Sequence, residues 1–274
     1  PNLDLLDLVY GTATDGSNDS NAKEGQLKST INTQPAMFAV EYALADLLIS
    51  FWIQPSALIG HSLGEYVAAC LAGVFSLSDA LRLVQFRGQV MQGCEPGSML
   101  AVMQDEVQVK SLLPDNLEIA VQNSRLQTVV AGSKPEIRNF ELMLRDRDIA
   151  CQLLQTSHAF HSSLMDPALG PLHECLSGIE LNAPRLNLIS NRTGEWLSQE
   201  QATKPDYWVE HLRHTVRFAD GMDLLTQLPN TVFLEVGPGQ TLGRLLKTQN
   251  ADAIPIATLP GPHENRADEE CLTH

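Results

Sequence analysis

Gly60-His61-Ser62-Leu63-Gly64 is the stretch of this chain best suited to chemistry. It follows the short apolar run Ala57-Leu58-Ile59 and precedes an apolar helical pattern from Tyr66 to Leu71. That order puts Ser62 on a sharp strand-to-helix turn with its hydroxyl exposed at the sheet edge. Flanking glycines leave room where a side chain would crowd such a turn. A helix starts here too, so backbone N–H groups without intrahelical partners, that of Leu63 first, point at any oxyanion formed when Ser62 attacks a carbonyl. The chemistry is acyl chemistry, and the alternative is a glycine-rich turn that carries out no reaction.

A serine hydroxyl needs a base to remove its proton, and the sequence offers eight histidines. His61 is adjacent, but neighbouring side chains on a tight turn diverge, so it is poorly placed as the base. His158 and His161 lie at the exit of a small predicted unit, where the chain returns to a larger one and a side chain can project into an interdomain cleft. Their spacing also invites a metal, but no third ligand stands out: Asp166, followed by Pro167, reads as turn chemistry, and no metal is expected. His211 and His214 repeat the spacing on a helical segment, where a solvated face is expected. Arg87 falls late in another helix. Its guanidinium fork suits a carboxylate, so a buried Arg87 near Ser62 would select an acyl group bearing a free carboxylate, whereas an exposed one would be an ordinary solvated charge. Gln34 and Asn123 are polar side chains beside apolar segments, open to pocket roles or to capping and turns.

The elements that must position these residues can be read from periodicity and breakers. The spacing predicts a helix tail over 1–9, a polar loop over 11–23, a largely buried helix over 35–49, the serine turn with its helix, and a helix from the Ser76-Leu77-Ser78-Asp79 cap to about Met91. Strands are predicted over 99–103, 117–122, 127–131 and 149–154, with helices over 106–113 and 135–147 between them. This βαββαβ order is that of a ferredoxin-like unit inserted into the larger part. Strand 186–190, helical segments over 207–212 and 218–228, strand 232–236, the Gly237-Pro238-Gly239 turn, helix 241–247 and strand 254–257 follow. The fold class expected is α/β: a large α/β-hydrolase-like part with a mostly parallel sheet (1–96 and 158–260), a ferredoxin-like small subdomain (97–157) and a linker (261–274).

The chain has 274 residues, enough for both parts, and is 43% hydrophobic but only 5% aromatic, so Leu, Val, Ala and Ile must supply the core. The formal charge of −15 repels nucleic acid and anionic membranes, and no apolar run is long enough to span a bilayer. A cytoplasmic location is expected. Five scattered cysteines, with no Cys-x-x-Cys pair, argue against a disulfide frame or a zinc site.

In order along the chain, Gly60-His61-Ser62-Leu63-Gly64-Glu65, Arg87-Gly88, Ser157-His158-Ala159-Phe160-His161-Ser162, Tyr207-Trp208 through Val216-Arg217-Phe218, and Glu235-Val236-Gly237-Pro238-Gly239 resemble the acyltransferase domain of modular polyketide synthases. More distantly, they are similar to malonyl-CoA:acyl-carrier-protein transacylases. The resemblance implies that Ser62 takes an acyl group from coenzyme A and that His161 is the base. It also implies that a backbone carbonyl, assigned by the Trp-x-x-His-x-Arg pattern to His211, orients His161. Arg87 would hold the extender unit's carboxylate, while His158, Phe160, Gln34, His61 and Asn123 would line the pocket. His-Ala-Phe-His, with the Phe160 ring where a methyl branch would need room, together with Leu63 after the serine, implies malonyl rather than methylmalonyl. No tightly bound cofactor is implied. Malonyl-CoA would be the substrate and the phosphopantetheine of an acyl carrier protein the acceptor, with ketosynthase and linker regions as neighbours. An acidic carrier would meet a basic region, for which Lys134, Arg138, Arg145 and Arg147 are candidates.

The resemblance also implies a Gly-Gln-Gly-x-Gln loop supplying a second oxyanion donor, and Pro1 to Ser29 contain no match. Either the loop lies upstream of these residues or the oxyanion hole lacks that donor. A serine esterase or thioesterase is the nearest rival, although Arg87 has no evident task in one and no Asp between Ser62 and His161 completes a triad. A non-catalytic docking module is the other alternative.

Overall fold

The computed structural model describes residues 29–261, together with 25 and 27. The expected helix tail, the polar loop and all of the linker beyond Gly261 lie outside the described residues.

Helix α1 (Thr30–Ser50) begins five residues before Pro35, where the sequence suggested a start. Gln92 explains the early start: its side-chain carbonyl accepts the Thr30 N–H at 3.0 Å and the Ser29 hydroxyl at 3.1 Å, serving donors that a helix N-terminus leaves open. Strand β1 (Leu58–Ile59) leads through the serine turn into α2 (Leu63–Leu71). Helix α3 (Leu77–Gln92) starts as its cap predicts, with Ser76 Oγ accepting the Asp79 N–H at 3.1 Å.

The small unit follows the predicted order: β2 (Ser98–Val102), α4 (Glu106–Leu112), β3 (Glu118–Ser124), β4 (Gln127–Gly132), α5 (Lys134–Arg145) and β5 (Cys151–Leu153). Its strands form one antiparallel sheet in the order β3-β4-β2-β5. Alternation along β2 divides the packing. Met99 and Ala101 join a cluster with Val216, Phe218 and Met222 of the larger part, while Leu100 and Val102 face Val109, Ile137, Phe140 and Leu144 of α4 and α5. On α5, Arg145 ion-pairs with Glu141.

A 3₁₀ turn (Ser163–Met165) opens into α6 (Asp166–Ser177), a helix that the turn reading of Asp166-Pro167 missed. Pro167 occupies the first turn, where its missing N–H costs nothing. Then come β6 (Leu188–Ile189), the short α7 (Gln199–Ala202), α8 (Pro205–Arg213), α9 (Phe218–Thr226), β7 (Val232–Pro238), α10 (Thr241–Gln249) and β8 (Ile254–Leu259). Strand pairing here is parallel, β1 with β6 and β7 with β8, but the described residues form two separate two-stranded sheets where one continuous sheet was expected. The main core is helical: Phe38 of α1, Tyr66 and Val67 of α2, Leu83 and Val84 of α3, Leu172 and Leu176 of α6, and Trp208 and Leu212 of α8. No helix among the described residues is long and apolar enough to cross a membrane.

Candidate active site

The turn at Ser62 is built by strain and held by its neighbours. Ser62 has φ 51° and ψ −109°, a left-handed backbone that is rare for a residue with a side chain. A Cβ at Gly60 would lie 2.0 Å from both Glu65 N and Gly64 C, so only glycine fits there. Gly64 is different. The nearest atom to a Cβ there is Glu41 Oε2 at 3.9 Å, so the second glycine is not required by crowding. Leu63 opens α2, and its N–H therefore has no acceptor within the helix.

His161 comes to this turn from the segment that follows the small unit. Its Nε2 lies 2.8 Å from Ser62 Oγ, and its Nδ1 lies 3.1 Å from the His214 carbonyl oxygen. A carbonyl can only accept, so Nδ1 carries the proton and Nε2 presents its lone pair to the serine. Burial holds the His161 pKa well below 6.5, reinforced by His211, the Arg87 cation and His61, so the ring is neutral at pH 7. His158 makes no such approach: its Nδ1 is 2.7 Å from Ser157 Oγ, its buried Nε2 has no partner, and its ring stacks on Phe160 at 6.0 Å. Phe160 itself packs against both the helical core and the cluster under the small sheet.

Two expectations about His211 are corrected. Its side chain is not on a solvated face but fully buried, with Nε2 3.1 Å from Glu65 Oε2 at an angle outside hydrogen-bond geometry. Nor does its carbonyl orient His161. His211 lies within α8, where carbonyls point along the helix axis; the chain leaves that helix at His214, with φ −91° and ψ 162°, and this carbonyl turns to the imidazole. The exit segment is stitched to the small sheet, since the Val216 N–H donates to the Ala120 carbonyl at 2.9 Å and the Gln122 N–H to the Val216 carbonyl at 2.8 Å.

Arg87 is buried, 1% exposed, on α3. One Nη donates to Gln34 Oε1 at 2.6 Å and the guanidinium lies over the Tyr66 ring, but Nε and the second Nη have no partner. Gln34 thus has a partner inside the protein, neither a cap nor a turn; its amide nitrogen lies 3.2 Å from Met91 Sδ. His61 Nε2 is 2.8 Å from Asn123 Oδ1, so these two candidates are brought together, and Asn123 Nδ2 donates to Gln127 Oε1 at 2.9 Å. Burial lowers the His61 pKa.

Sequence reasoning missed the residues behind the turn. The parallel register of Leu58 with Leu188 and Ile59 with Ile189 carries Asn191 alongside the serine turn. The Ser62 N–H donates to Asn191 Oδ1 at 2.7 Å, and Asn191 Nδ2 donates to the Gly60 carbonyl at 2.7 Å. Glu65, fully buried, accepts the Asn191 N–H at 2.7 Å and the Tyr207 hydroxyl. Glu41 on α1 lies against Gly64 and Gly237, and burial raises its pKa from 4.5 to about 7. The one available signal was a polar Ser190-Asn191 pair at the end of the predicted strand 186–190; the pairing that brings it to the serine turn is not encoded locally.

Comparison with known proteins agrees with this geometry. A family model described as the acyl transferase domain matches residues 4–270. The chain is 40% identical over 241 residues to one of the phenolphthiocerol/phthiocerol polyketide synthase proteins of Mycobacterium tuberculosis, covering 88% of this chain and 16% of that synthase. It is 36% identical over 252 residues to the mycoketide-CoA synthase of the same organism, covering 92% of this chain and 6% of the relative. It thus spans only a small share of these synthases' length. The solved acyl transferase domain of ZmaA matches with a TM-score of 0.90 at 35% identity, over 99% of this chain and 63% of that one. The malonyl CoA-acyl carrier protein transacylase of Coxiella burnetii matches with a TM-score of 0.82 at 25% identity, over 93% and 80%. A family match along almost the whole sequence, joined to the serine turn and its histidine, establishes that this chain belongs to the acyl transferase domain family.

Proposed function

We propose that the chain transfers a malonyl group from malonyl-CoA to the phosphopantetheine thiol of an acyl carrier protein within a polyketide synthase. The observation that carries this reading is the 2.8 Å contact between Ser62 Oγ and a neutral His161, whose pKa the buried Arg87 cation helps to lower, with two nitrogens of that guanidinium unpartnered. His161 Nε2 takes the hydroxyl proton as Ser62 Oγ attacks the thioester carbonyl, and the Leu63 N–H donates to the oxyanion. The tetrahedral intermediate collapses with cleavage of the C–S bond, the coenzyme A sulfur takes the proton from His161, and a malonyl ester remains on Ser62. In the second half the carrier thiol gives its proton to His161 and its sulfur attacks the ester. Ser62 Oγ leaves and regains the proton. A carbonyl at Nδ1 in place of a carboxylate supports a dyad over the esterase triad.

The buried Arg87 supports an acyl group with a free carboxylate, because a fork with unpaired donors is satisfied by a bidentate anion and not by a methyl group. Phe160 beside His158 supports the unbranched malonyl over methylmalonyl. The test is incubation with malonyl-, methylmalonyl- or acetyl-CoA followed by mass spectrometry. A malonyl adduct on Ser62 that survives in water and passes to a carrier protein is expected; rapid loss to water without a carrier would make the chain a hydrolase, and no adduct on Ser62 would end the proposal.

A further inference from the structure

We propose that Asn191 is the positioning residue that holds the nucleophile's strained backbone, so that Ser62 Oγ stays on the His161 lone pair. This rests on Ser62 being the nucleophile, as proposed above. Asn191 is 2% exposed, and both ends of its amide grip the turn on either side of the serine: Oδ1 accepts the Ser62 N–H and Nδ2 donates to the Gly60 carbonyl, each at 2.7 Å. Its own backbone is fixed as firmly. The Asn191 N–H donates to Glu65 Oε2 at 2.7 Å, and its carbonyl accepts the Arg217 N–H at 2.6 Å. Asn191 therefore ties the serine turn to the first turn of α2, through Glu65, and to the exit segment whose His214 carbonyl holds His161.

Such a clamp has a physical reason. A φ of 51° on a residue with a side chain persists only where surrounding contacts over-determine it. The amide supplies both an acceptor for the Ser62 N–H and a donor for the Gly60 carbonyl, on separate atoms that reach the two sides of the turn; a carboxylate lacks the donor, and an aliphatic side chain lacks both. The contact also settles which N–H groups are free. Because Asn191 occupies the serine's own N–H, that group is withdrawn from the oxyanion and the duty falls to Leu63.

The experiment reads Ser62 reactivity with two probes, malonyl-CoA and a fluorophosphonate, so that an error about the substrate is separated from an error about the clamp. If the parent protein labels at Ser62 with fluorophosphonate but not with malonyl-CoA, the malonyl reading fails while the clamp is still read by the first probe. If neither probe labels Ser62, the nucleophile assignment fails and the clamp with it. Asn191→Ala is expected to slow acylation per active site by about 10- to 100-fold, a loss in kcat with KM for malonyl-CoA little changed, since the displaced group is the attacking atom and not a binding contact. The acid limb of the pH profile should stay in place, because His161 keeps its carbonyl partner. Asn191→Asp, which preserves size and the acceptor for Ser62 N–H but not the donor to Gly60, should fall between parent and alanine. A parental rate per site in Asn191→Ala would overturn the proposal. So would a loss confined to the number of active sites, or failure of both variants to fold, since each would make Asn191 a support of the fold alone.

Discussion

Replacing Arg87 by methionine should trade selectivity for stability, and both changes can be estimated from the buried guanidinium. In the free protein Nε and one Nη have no hydrogen-bond partner, and burial lowers the Arg87 pKa. A buried unpaired donor costs about 1–3 kcal/mol, so the pair costs about 2–6 kcal/mol. Methionine keeps the aliphatic length against Tyr66 but strands Gln34 Oε1, which returns about 1–3 kcal/mol of that gain. Arg87→Met should therefore stabilise the ligand-free protein by about 1–3 kcal/mol, read as a shift in urea midpoint at unchanged slope. For transfer, two charge-assisted hydrogen bonds at about 1.5–3 kcal/mol each are lost, and kcat/KM for malonyl-CoA should fall roughly 10²- to 10⁴-fold. Acetyl-CoA, with no carboxylate, should lose far less, so the malonyl-to-acetyl ratio collapses. A variant that retains the parental ratio, or that is less stable than the parent, would refute the reasoning.

Gly60→Ala should abolish acylation or folding, since its Cβ falls 2.0 Å from backbone atoms, whereas Gly64→Ala should be near-neutral in the same labelling assay and in thermal melts. Phe160→Ser should raise the methylmalonyl-to-malonyl ratio in the substrate panel by about 10- to 200-fold, since room for one methyl group in an apolar pocket is worth about 1–3 kcal/mol. With His161 held well below 6.5, kcat/KM for acylation should be flat from pH 6.5 to 8 and fall only in more acidic buffer, while the acid limb of kcat should lie higher than that of kcat/KM. Glu41, raised from 4.5 to about 7, binds its proton more tightly folded than unfolded, so its contribution is present below pH 4.5 and is lost as pH rises through 7. Relative to the parent, Glu41→Gln should gain up to about 3 kcal/mol between pH 4.5 and 8 in denaturant titrations, and a constant difference would count against the shift.

Ser62 was legible from its glycine turn alone, while the choice of His161 over His158 and the burial of Arg87 rested on the five ordered motifs taken together, since a histidine at a subdomain exit and an arginine in a helix each leave other readings open. The order of the small unit was legible locally, since period-two and period-3.6 runs alternate cleanly from Met99 to Leu153. What escaped was long-range. The orienting carbonyl depends on where α8 unwinds, a shift of three residues from His211 to His214 that no side-chain pattern encodes. Asn191 and Glu65 depend on strand register and on a buried carboxylate that composition treats as solvent-exposed. Helix α6 was hidden because a helix can take Pro167 in its first turn and still read as a break.

On the proposed function, the electrostatics around His161 would couple substrate recognition to the strength of the base. In the free protein, His161 is kept neutral first by burial and then by His211 and the Arg87 cation, while the carbonyl of His214 favours the charged ring only weakly. A carboxylate bound to Arg87 cancels the nearby positive charge, and the cost of forming an imidazolium at His161 falls at the moment the proton must leave Ser62. A substrate without a carboxylate leaves that charge in place and meets a weaker base. Discrimination against acetyl groups then has two sources, the lost hydrogen bonds at Arg87 and the uncompensated field at His161, and only the second moves a pKa. This is why a dyad with a neutral orienting group suits a carboxylate-bearing acyl donor. A fixed aspartate at Nδ1 would raise the base for every substrate alike, whereas with the malonyl donor proposed above part of the negative charge would be supplied by the acyl group being transferred.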